Sequence, residues 1–504
     1  MQPSYQFKFR DTNPVVIKLD ELIFFGMLCL VAAVLYFSLY ESTNTPLVLI
    51  AFPLVLYNRA FLFPMFLTLS LCQGAFSEAT AGVGTSQASY AESLSIAMAA
   101  PLLLYDLITQ KSKMVPYRFV IFYVVFFIFV YIGIFVYYQH PENYLDLGTS
   151  QGRYSAIPRS IIKSIKIVFY LFYLRVLINY PLSRNIKTLE VTRRFAPFVI
   201  IPLGIFLLTN GRVQNGAGYS GTLQLGDAHH GIFTSELCAL TIYPFITLFS
   251  RKPKVNFFSK FVAFGCIVLV GMMIMVMGSR NGLVCYALVC GLGVLIHLKK
   301  RSWSFQFLIV SVGIAAATLG VILSLQSPTV ERAIYMTETQ GGGDRVYFWE
   351  AGLTALEKYP LLGLGGDESA SVSAVAHYAP ASTEDRVMHN TYLEMAVEYG
   401  LIAAVFYIIL VLFVLKWGYR LYKVALDKQD LLLAGPFISY VIIIFANLFV
   451  SNVWGTPGWY NMSLILALAI QIVYPSFIAK KKKKKPFSSW QYRPLPASQT
   501  SLKA

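Results

Sequence analysis

Charge is what this 504-residue chain has least of. Asp, Glu, Lys and Arg together make up 13% of it, where a soluble domain carries about a quarter. So few charges exclude an ordinary water-soluble chain of this length. Cysteine is scarce too: Cys29, Cys72, Cys238, Cys266, Cys285 and Cys290 all lie in or beside apolar runs, and no Cys-x-x-Cys pair occurs. That spacing signals neither a zinc site nor a disulfide framework, and reads as small buried hydrophobes. The chain lacks a Gly-x-x-x-x-Gly-Lys phosphate loop, which excludes an ATP-driven engine of that type. It lacks Asp-x-Asp, which argues against a metal-dependent glycosyltransferase. No cofactor is expected. Nor is a cleavable signal peptide, because the first apolar run follows about twenty polar, basic residues and is long enough to stay as a span.

What the chain has is apolar surface, 56% of its residues. A helix crosses the hydrocarbon with about 20 apolar residues, and helices satisfy their own backbone there. Spans are predicted at 22–40, 46–57, 60–76, 88–108, 117–138, 161–180, 195–209, 232–250, 261–278, 283–298, 305–325, 391–415, 431–450 and 462–479. The fold class is therefore an all-α polytopic membrane protein of about 14 transmembrane helices. The expected organisation is a cytoplasmic N-terminus (1–21), eleven helices (22–325), a large periplasmic loop (326–390), three more helices (391–479) and a basic cytoplasmic tail (480–504).

Basic residues in short loops set the orientation. Lys111 and Lys113; Arg184, Lys187, Arg193 and Arg194; Arg251, Lys252 and Lys254; Lys299, Lys300 and Arg301; Arg420, Lys423 and Lys428; and the run Lys480 through Lys485 all fall on one side. That side is the cytoplasm of a bacterium, with both termini inside and the lipid bilayer of the inner membrane as the setting. The net charge of +16 sits in these loops and the tail, so no nucleic acid partner is expected.

The informative residues are arginines on the other side: Arg153, Arg159, Arg212, Arg280, Arg332, Arg345 and Arg386. Arg280 lies in Gly278-Ser279-Arg280-Asn281-Gly282, read as a short link between two apolar runs. Charge at such depth is costly and is kept when something pairs with it. Two readings stand: snorkelling or pairing with a buried acid, and binding an anionic ligand. A set of arginines suits a pyrophosphate, because each guanidinium grips phosphate oxygens in a bidentate fork and stays charged. The stretch 210–231 is rich in glycine, which lets backbone approach a ligand or simply makes a flexible turn. The long loop holds an expected amphipathic helix near Arg345–Lys358.

His389-Asn390 ends the long loop directly before a span. Asn390 suits an N-cap and His389 an interface residue. Equally, a histidine beside arginines suits a general base for a hydroxyl nucleophile. His229-His230, after Asp227, is a weak metal signal, since adjacent side chains on a regular helix do not share one ion. No metal site is expected.

Taken in order, Gly278-Ser279-Arg280-Asn281-Gly282, Arg345-x3-Trp349, Pro360-x2-Gly363-x-Gly365, His389-Asn390-x-Tyr392-Leu393-Glu394 and Glu398-x-Gly400-Leu401-Ile402 resemble the shared domain of O-antigen ligases and Wzy-type polysaccharide polymerases. The resemblance covers about residues 200–415. It implies a fold like the multi-helix membrane glycosyltransferases and transfer of an undecaprenyl-pyrophosphate-linked glycan to a sugar hydroxyl at the periplasmic face, without metal or ATP. The acceptor is another lipid-linked glycan in a polymerase and lipid A core in a ligase. Flippase and chain-length regulator proteins are the protein partners it implies. His389 and Arg280 take the catalytic roles, and Arg212, Arg345, Arg153, Arg159, Arg386 and Asn390 the substrate-binding ones. The ligase pattern His-(Asn/Ser/Gln)-x9-Gly-x2-(Gly/Thr/Tyr) fits through His389, Asn390 and Gly400, but its last position is Ala403. That departure tilts the expectation toward polymerase. A transporter or flippase of lipid-linked glycans is the competing class; it calls for internal repeats and charges near the midplane, and no clear repeat is visible.

Overall fold

A computed structural model describes residues 59–61, 63–64, 71, 99–109, 116–139, 168–210, 212–216, 219–224, 230–249, 255–298, 345–365, 368–379, 388–428, 430–450 and 456–473. They form α1 (Ala99–Thr109), α2 (Tyr117–Gln139), α3 (Val168–Asn179), α4 (Leu182–Asn210), a hairpin of β1 (Arg212–Gly216) and β2 (Tyr219–Gln224), α5 (His230–Phe249), α6 (Phe257–Met277), α7 (Arg280–Leu298), α8 (Arg345–Lys358), α9 (Glu368–Tyr378), α10 (Thr391–Lys428), α11 (Gly435–Ala446) and α12 (Thr456–Leu468). Among the described residues four helices are long and apolar enough to cross a membrane: Phe119–Val136, Ile232–Phe249, Phe257–Met277 and Thr391–Lys428. The chain is an integral membrane protein. The expected spans 22–40, 46–57 and 305–325, and both terminal segments, lie outside the described residues.

Three expectations need correction. Arg280 and Asn281 are not in a link; they are the first residues of α7. The turn is confined to Gly278-Ser279, where Gly278 (φ 67) ends α6 in the left-handed region and the Ser279 hydroxyl accepts from the Gly282 amide at 3.0 Å. Second, the glycine-rich stretch is in part an antiparallel hairpin, with Arg212 opposite Gln224 and Gly216 opposite Tyr219, so the described structure is helical but for this pair of strands. Third, α4 starts at Leu182 and α10 runs to Lys428, past the predicted limits of 195 and 415. Polar helix ends carry no apolar signal although their backbone stays helical.

In lipid, helices associate through packing and not through hydrophobic force. Helices α2 and α10 illustrate it. Phe119 meets Trp417 at a centroid distance of 5.0 Å, Phe122 meets Phe413 at 5.1 Å, Phe126 meets Tyr407 at 5.5 Å and Phe129 meets Phe406 at 5.7 Å. Partners descend in one helix as they ascend in the other, so the two run antiparallel. Each such aromatic pair contributes about 0.5–1.5 kcal/mol beyond area burial. Gly133 completes the seam, where a Cβ would come 2.7 Å from a ring carbon of Tyr399.

Polar groups collect at two ends. At one end Asp106 accepts from Arg59 at 3.0 Å and from the Tyr180 hydroxyl at 2.6 Å. The Gln471 amide there donates to the Tyr180 carbonyl at 2.8 Å. Glu190 is gripped by Arg193 at 2.6 and 2.9 Å and by Arg194 at 2.8 Å, and Arg193 also reaches Thr247. Of these residues, Arg193 and Arg194 were expected at the cytoplasmic face. At the other end Thr234 and Ser279 share a hydrogen bond of 2.8 Å. Thr234 and Thr247 lie on the same helix, separated by about 20 Å of rise.

Candidate functional site

The site is built where α8 packs on the start of α10. The indole N–H of Trp349 donates to the Met388 carbonyl at 3.1 Å, and Met388 is fully buried. Gly352, one turn on, leaves room for the Met388 sulfur and the Leu393 side chain; a Cβ there would meet them at 2.9 and 3.0 Å. His389 follows with φ 53, in the left-handed region. That conformation is uncommon for a residue with a side chain and marks a position held by its surroundings. The imidazole lies beside the Phe348 ring, centroids 6.0 Å apart. Arg345 is one helical turn before Phe348, on the same face of α8.

Asn390 is the N-cap of α10. Its side-chain oxygen accepts from the Tyr392 and Leu393 amides at 3.0 and 3.1 Å. The helix start is then tied to the end of α11, because the Thr391 amide donates to the Asn447 carbonyl at 2.9 Å and its hydroxyl to the Val450 carbonyl at 2.7 Å. The Asn390 oxygen is thus committed to the fold, and only its amide nitrogen is left for any substrate role.

Two turns further on, α10 breaks at Gly400 (φ 84, ψ 165). The segment after α8 is spliced into the break. The Leu364 amide donates to the Val397 carbonyl at 2.7 Å, the Gly365 amide to the Glu398 carbonyl at 3.0 Å, and the Leu401 amide to the Pro360 carbonyl at 2.9 Å. These bonds replace the helical ones that the break forfeits. The Pro360-x2-Gly363-x-Gly365 and Glu398-x-Gly400 motifs are therefore one structural joint.

Arg280, Arg345 and the His389-Asn390 pair share a feature, of which the sequence showed the Arg345 helix and the Asn390 cap but not the helix that Arg280 opens. Arg280 is the first residue of α7, Arg345 the first of α8, and Asn390 caps α10. Helix N-termini carry unsatisfied N–H groups and about half a positive charge, and they attract anions. A cation at that position gains nothing from its own helix dipole. Helix α11 packs against both α7 and α10, so it lies between the Arg280 helix and the His389 helix. Arg280 and Arg345 are both half-buried.

Of the other candidates, Arg212 opens β1 by its backbone. Arg153, Arg159, Arg332, Arg386 and His229 lie outside the described residues, and His230 is placed by its backbone as the first residue of α5. Three buried acids lie on the helices that form this end, Glu236, Glu394 and Glu398, exposed by 5%, 4% and 1%; the sequence reading named Glu394 and Glu398 only as motif residues and Glu236 not at all. The Ser371 hydroxyl of α9 reaches Glu394 at 3.5 Å. The signal was available, since an acid inside an apolar span is costly and kept for a reason.

Comparison with known families bears on the same segment. Residues 265–408 match the family model described as O-Antigen ligase. That segment, less than half of the chain, is similar to the O-antigen ligase family. It contains Arg280, Arg345, Arg386, His389 and Asn390, together with the whole Gly400 joint, and leaves out Arg153, Arg159 and Arg212. No curated protein matches the chain.

Proposed function

We propose that the chain is a polymerase of surface polysaccharide, O-antigen or exopolysaccharide. It transfers an undecaprenyl-pyrophosphate-linked glycan to a sugar hydroxyl at the periplasmic face. The observation that carries this reading is the convergence of the matched domain with helix N-termini: α7 and α8 headed by arginine, and α10 headed by His389-Asn390. Such an arrangement suits a diphosphate leaving group.

In the proposed step the acceptor hydroxyl oxygen forms a bond to the donor's anomeric carbon. The bond from that carbon to the phosphate oxygen breaks, and the electron pair leaves with the lipid pyrophosphate. His389 takes the hydroxyl proton. Arg280 and Arg345 stabilise the charge that develops on the pyrophosphate. The sugar–phosphate bond supplies the driving force, so the step needs no nucleotide. Bringing two lipid-bound partners into one orientation saves up to about 7–11 kcal/mol of barrier.

Ligation to lipid A core is the second reading, and the description of the matched family favours it. Against it stands Ala403, fully buried where the ligase pattern has Gly, Thr or Tyr. The glycan profile of a deletion strain separates the two. Single repeat units on lipid A core indicate the polymerase; long chains left on the carrier lipid indicate the ligase. An unchanged profile overturns both, and loss of all outward lipid-linked glycan points to a transporter.

A further inference from the structure

The joint at Gly400 leaves two leucines uncovered. Leu361 is 63% exposed and Leu362 37% exposed, although both sit in the segment that the break in α10 holds. The Leu361 carbonyl abuts Gly400 itself, and the Leu401 amide is bonded to the neighbouring Pro360 carbonyl. Leu401 is in turn the first residue of an exposed apolar stripe on α10: Leu401, Val405, Ile408 and Leu412, exposed by 44%, 52%, 40% and 58%. Spacings of four, three and four place these on one helix face. Leu361 and Leu362 extend that stripe onto the loop.

The height of the stripe follows from the charges on the same helix. At 38 residues α10 is about 57 Å long, nearly twice the roughly 30 Å of hydrocarbon. Its inward boundary is marked. Lys416 is exposed, the Arg420 guanidinium lies over Trp417 at 4.6 Å, and the Lys423 ammonium lies over Tyr419 at 4.7 Å. Aromatic rings with cations are the usual furniture of the interface. Counting back about 20 residues from 417–420 brings the outer hydrocarbon boundary to about 397–400, the position of the break. Irregular backbone at membrane depth survives only where its polar groups are paired within the protein, and the three bonds of the joint do this.

We infer that the Pro360–Gly365 segment is a re-entrant elbow seated in the outer leaflet, with Leu361 and Leu362 in contact with lipid acyl chains. The segment belongs to the stretch 326–390 read from sequence as a large periplasmic loop. The elbow fixes the C-terminal end of α8 to the lipid boundary, and α8 carries Arg345 at its other end. A lipid-linked donor would then be met by a helix already referenced to the membrane surface.

Spin-label accessibility tests this without reference to catalysis. The six native cysteines are replaced, and a nitroxide is attached in turn at Leu361→Cys, Leu362→Cys, Val405→Cys and Glu357→Cys. Each protein is reconstituted into phospholipid vesicles. Collision with oxygen, which partitions into lipid, is compared with collision with a water-soluble nickel chelate. Labels at 361 and 362 should match the one at 405, with an oxygen-to-nickel ratio several-fold above that at 357. Nickel-dominated collision at 361 and 362 overturns the proposal by placing the segment in water. Protection from both reagents also overturns it, since protein would then cover the leucines. Two adjacent sites guard against one label preventing folding. Glycan transfer does not enter this readout, so failure of the elbow and failure of the proposed reaction stay distinguishable.

Discussion

Gly400 and Leu361 touch so closely that no side chain fits between them: the Cβ of an alanine at 400 would fall on the Leu361 carbonyl oxygen. Gly363 faces the same joint from the other side at φ 70, where a Cβ would come within 2.5 Å of the Val397 carbonyl and 2.6 Å of the Gly400 amide. Two separate stretches of the matched domain therefore lock through backbone alone, and the lock holds α8 against α10, the contact that shapes the surroundings of His389.

Gly400→Ala should destabilise the protein. The backbone there (φ 84, ψ 165) is open essentially to glycine alone and costs a residue with a Cβ about 1–3 kcal/mol, and the clash with backbone adds to it because backbone cannot swing aside. Thermal unfolding in detergent would show a drop of several degrees and lower yield in the membrane. Gly265→Ala is the matched control: it lies within α6, and a Cβ there meets nothing within 4 Å. Helix propensity makes that change neutral or stabilising by up to about 1 kcal/mol. Equal stability of the two variants would show that the joint is not under steric constraint.

His389→Asn separates chemistry from fold better than alanine does, because asparagine tolerates positive φ. With the proton acceptor removed, transfer should fall by about 10²–10⁴-fold, at unchanged membrane level and melting temperature. Asn390→Ala should do the reverse, costing about 1 kcal/mol of stability through the lost cap and sparing most transfer at matched protein level. If His389→Asn is silent and Asn390→Ala abolishes transfer, the roles given to the two residues are interchanged.

Much of this was legible in the chain. The apolar runs gave the helices now seen at 117–139, 230–249 and 257–277, whereas the meeting of Arg59, Asp106 and Tyr180 joins segments far apart in sequence and was not read from it. The cap at Asn390 was readable because Asn before an apolar run has one common use. The break at Gly400 was not. A helix continues on both sides of it, so hydropathy sees one span, and the stabilising bonds come from residues 360–365, a contact only the fold reveals. The hairpin at 212–224 was hidden for a related reason, since glycine-rich polar sequence carries no period that distinguishes strand from turn.

The ion-pair cluster around Glu190 yields a pH prediction. Burial raises the Glu190 carboxyl, but Arg193 and Arg194 outweigh it and hold the group below its ordinary value of 4.5. A depressed acid contributes stability that is present above the unfolded value and lost as pH falls through the folded one. Asp430, which caps the turn at Leu431–Ala434, is shifted the other way, by burial first, and partly offsets this. The melting temperature should therefore fall as pH drops below about 4.5, and Glu190→Gln should flatten that fall while lowering stability near neutrality by about 2 kcal/mol, between exposed and buried pairs. A wild-type acid profile identical to that of Glu190→Gln would remove the ion pair from the account.

Arg280 and Arg345 offer the sharpest contrast, since each opens a helix that expects an anion at that end. If they hold a pyrophosphate, the planar fork matters as well as the charge. Arg280→Lys and Arg345→Lys keep the charge but lose bidentate geometry, so both should depress transfer by at least tenfold. Arg280→Gln and Arg345→Gln lose the charge as well and should be less active still, compared at matched protein level in the membrane. Full transfer in both lysine variants and both glutamine variants would remove the anion site from the proposed mechanism.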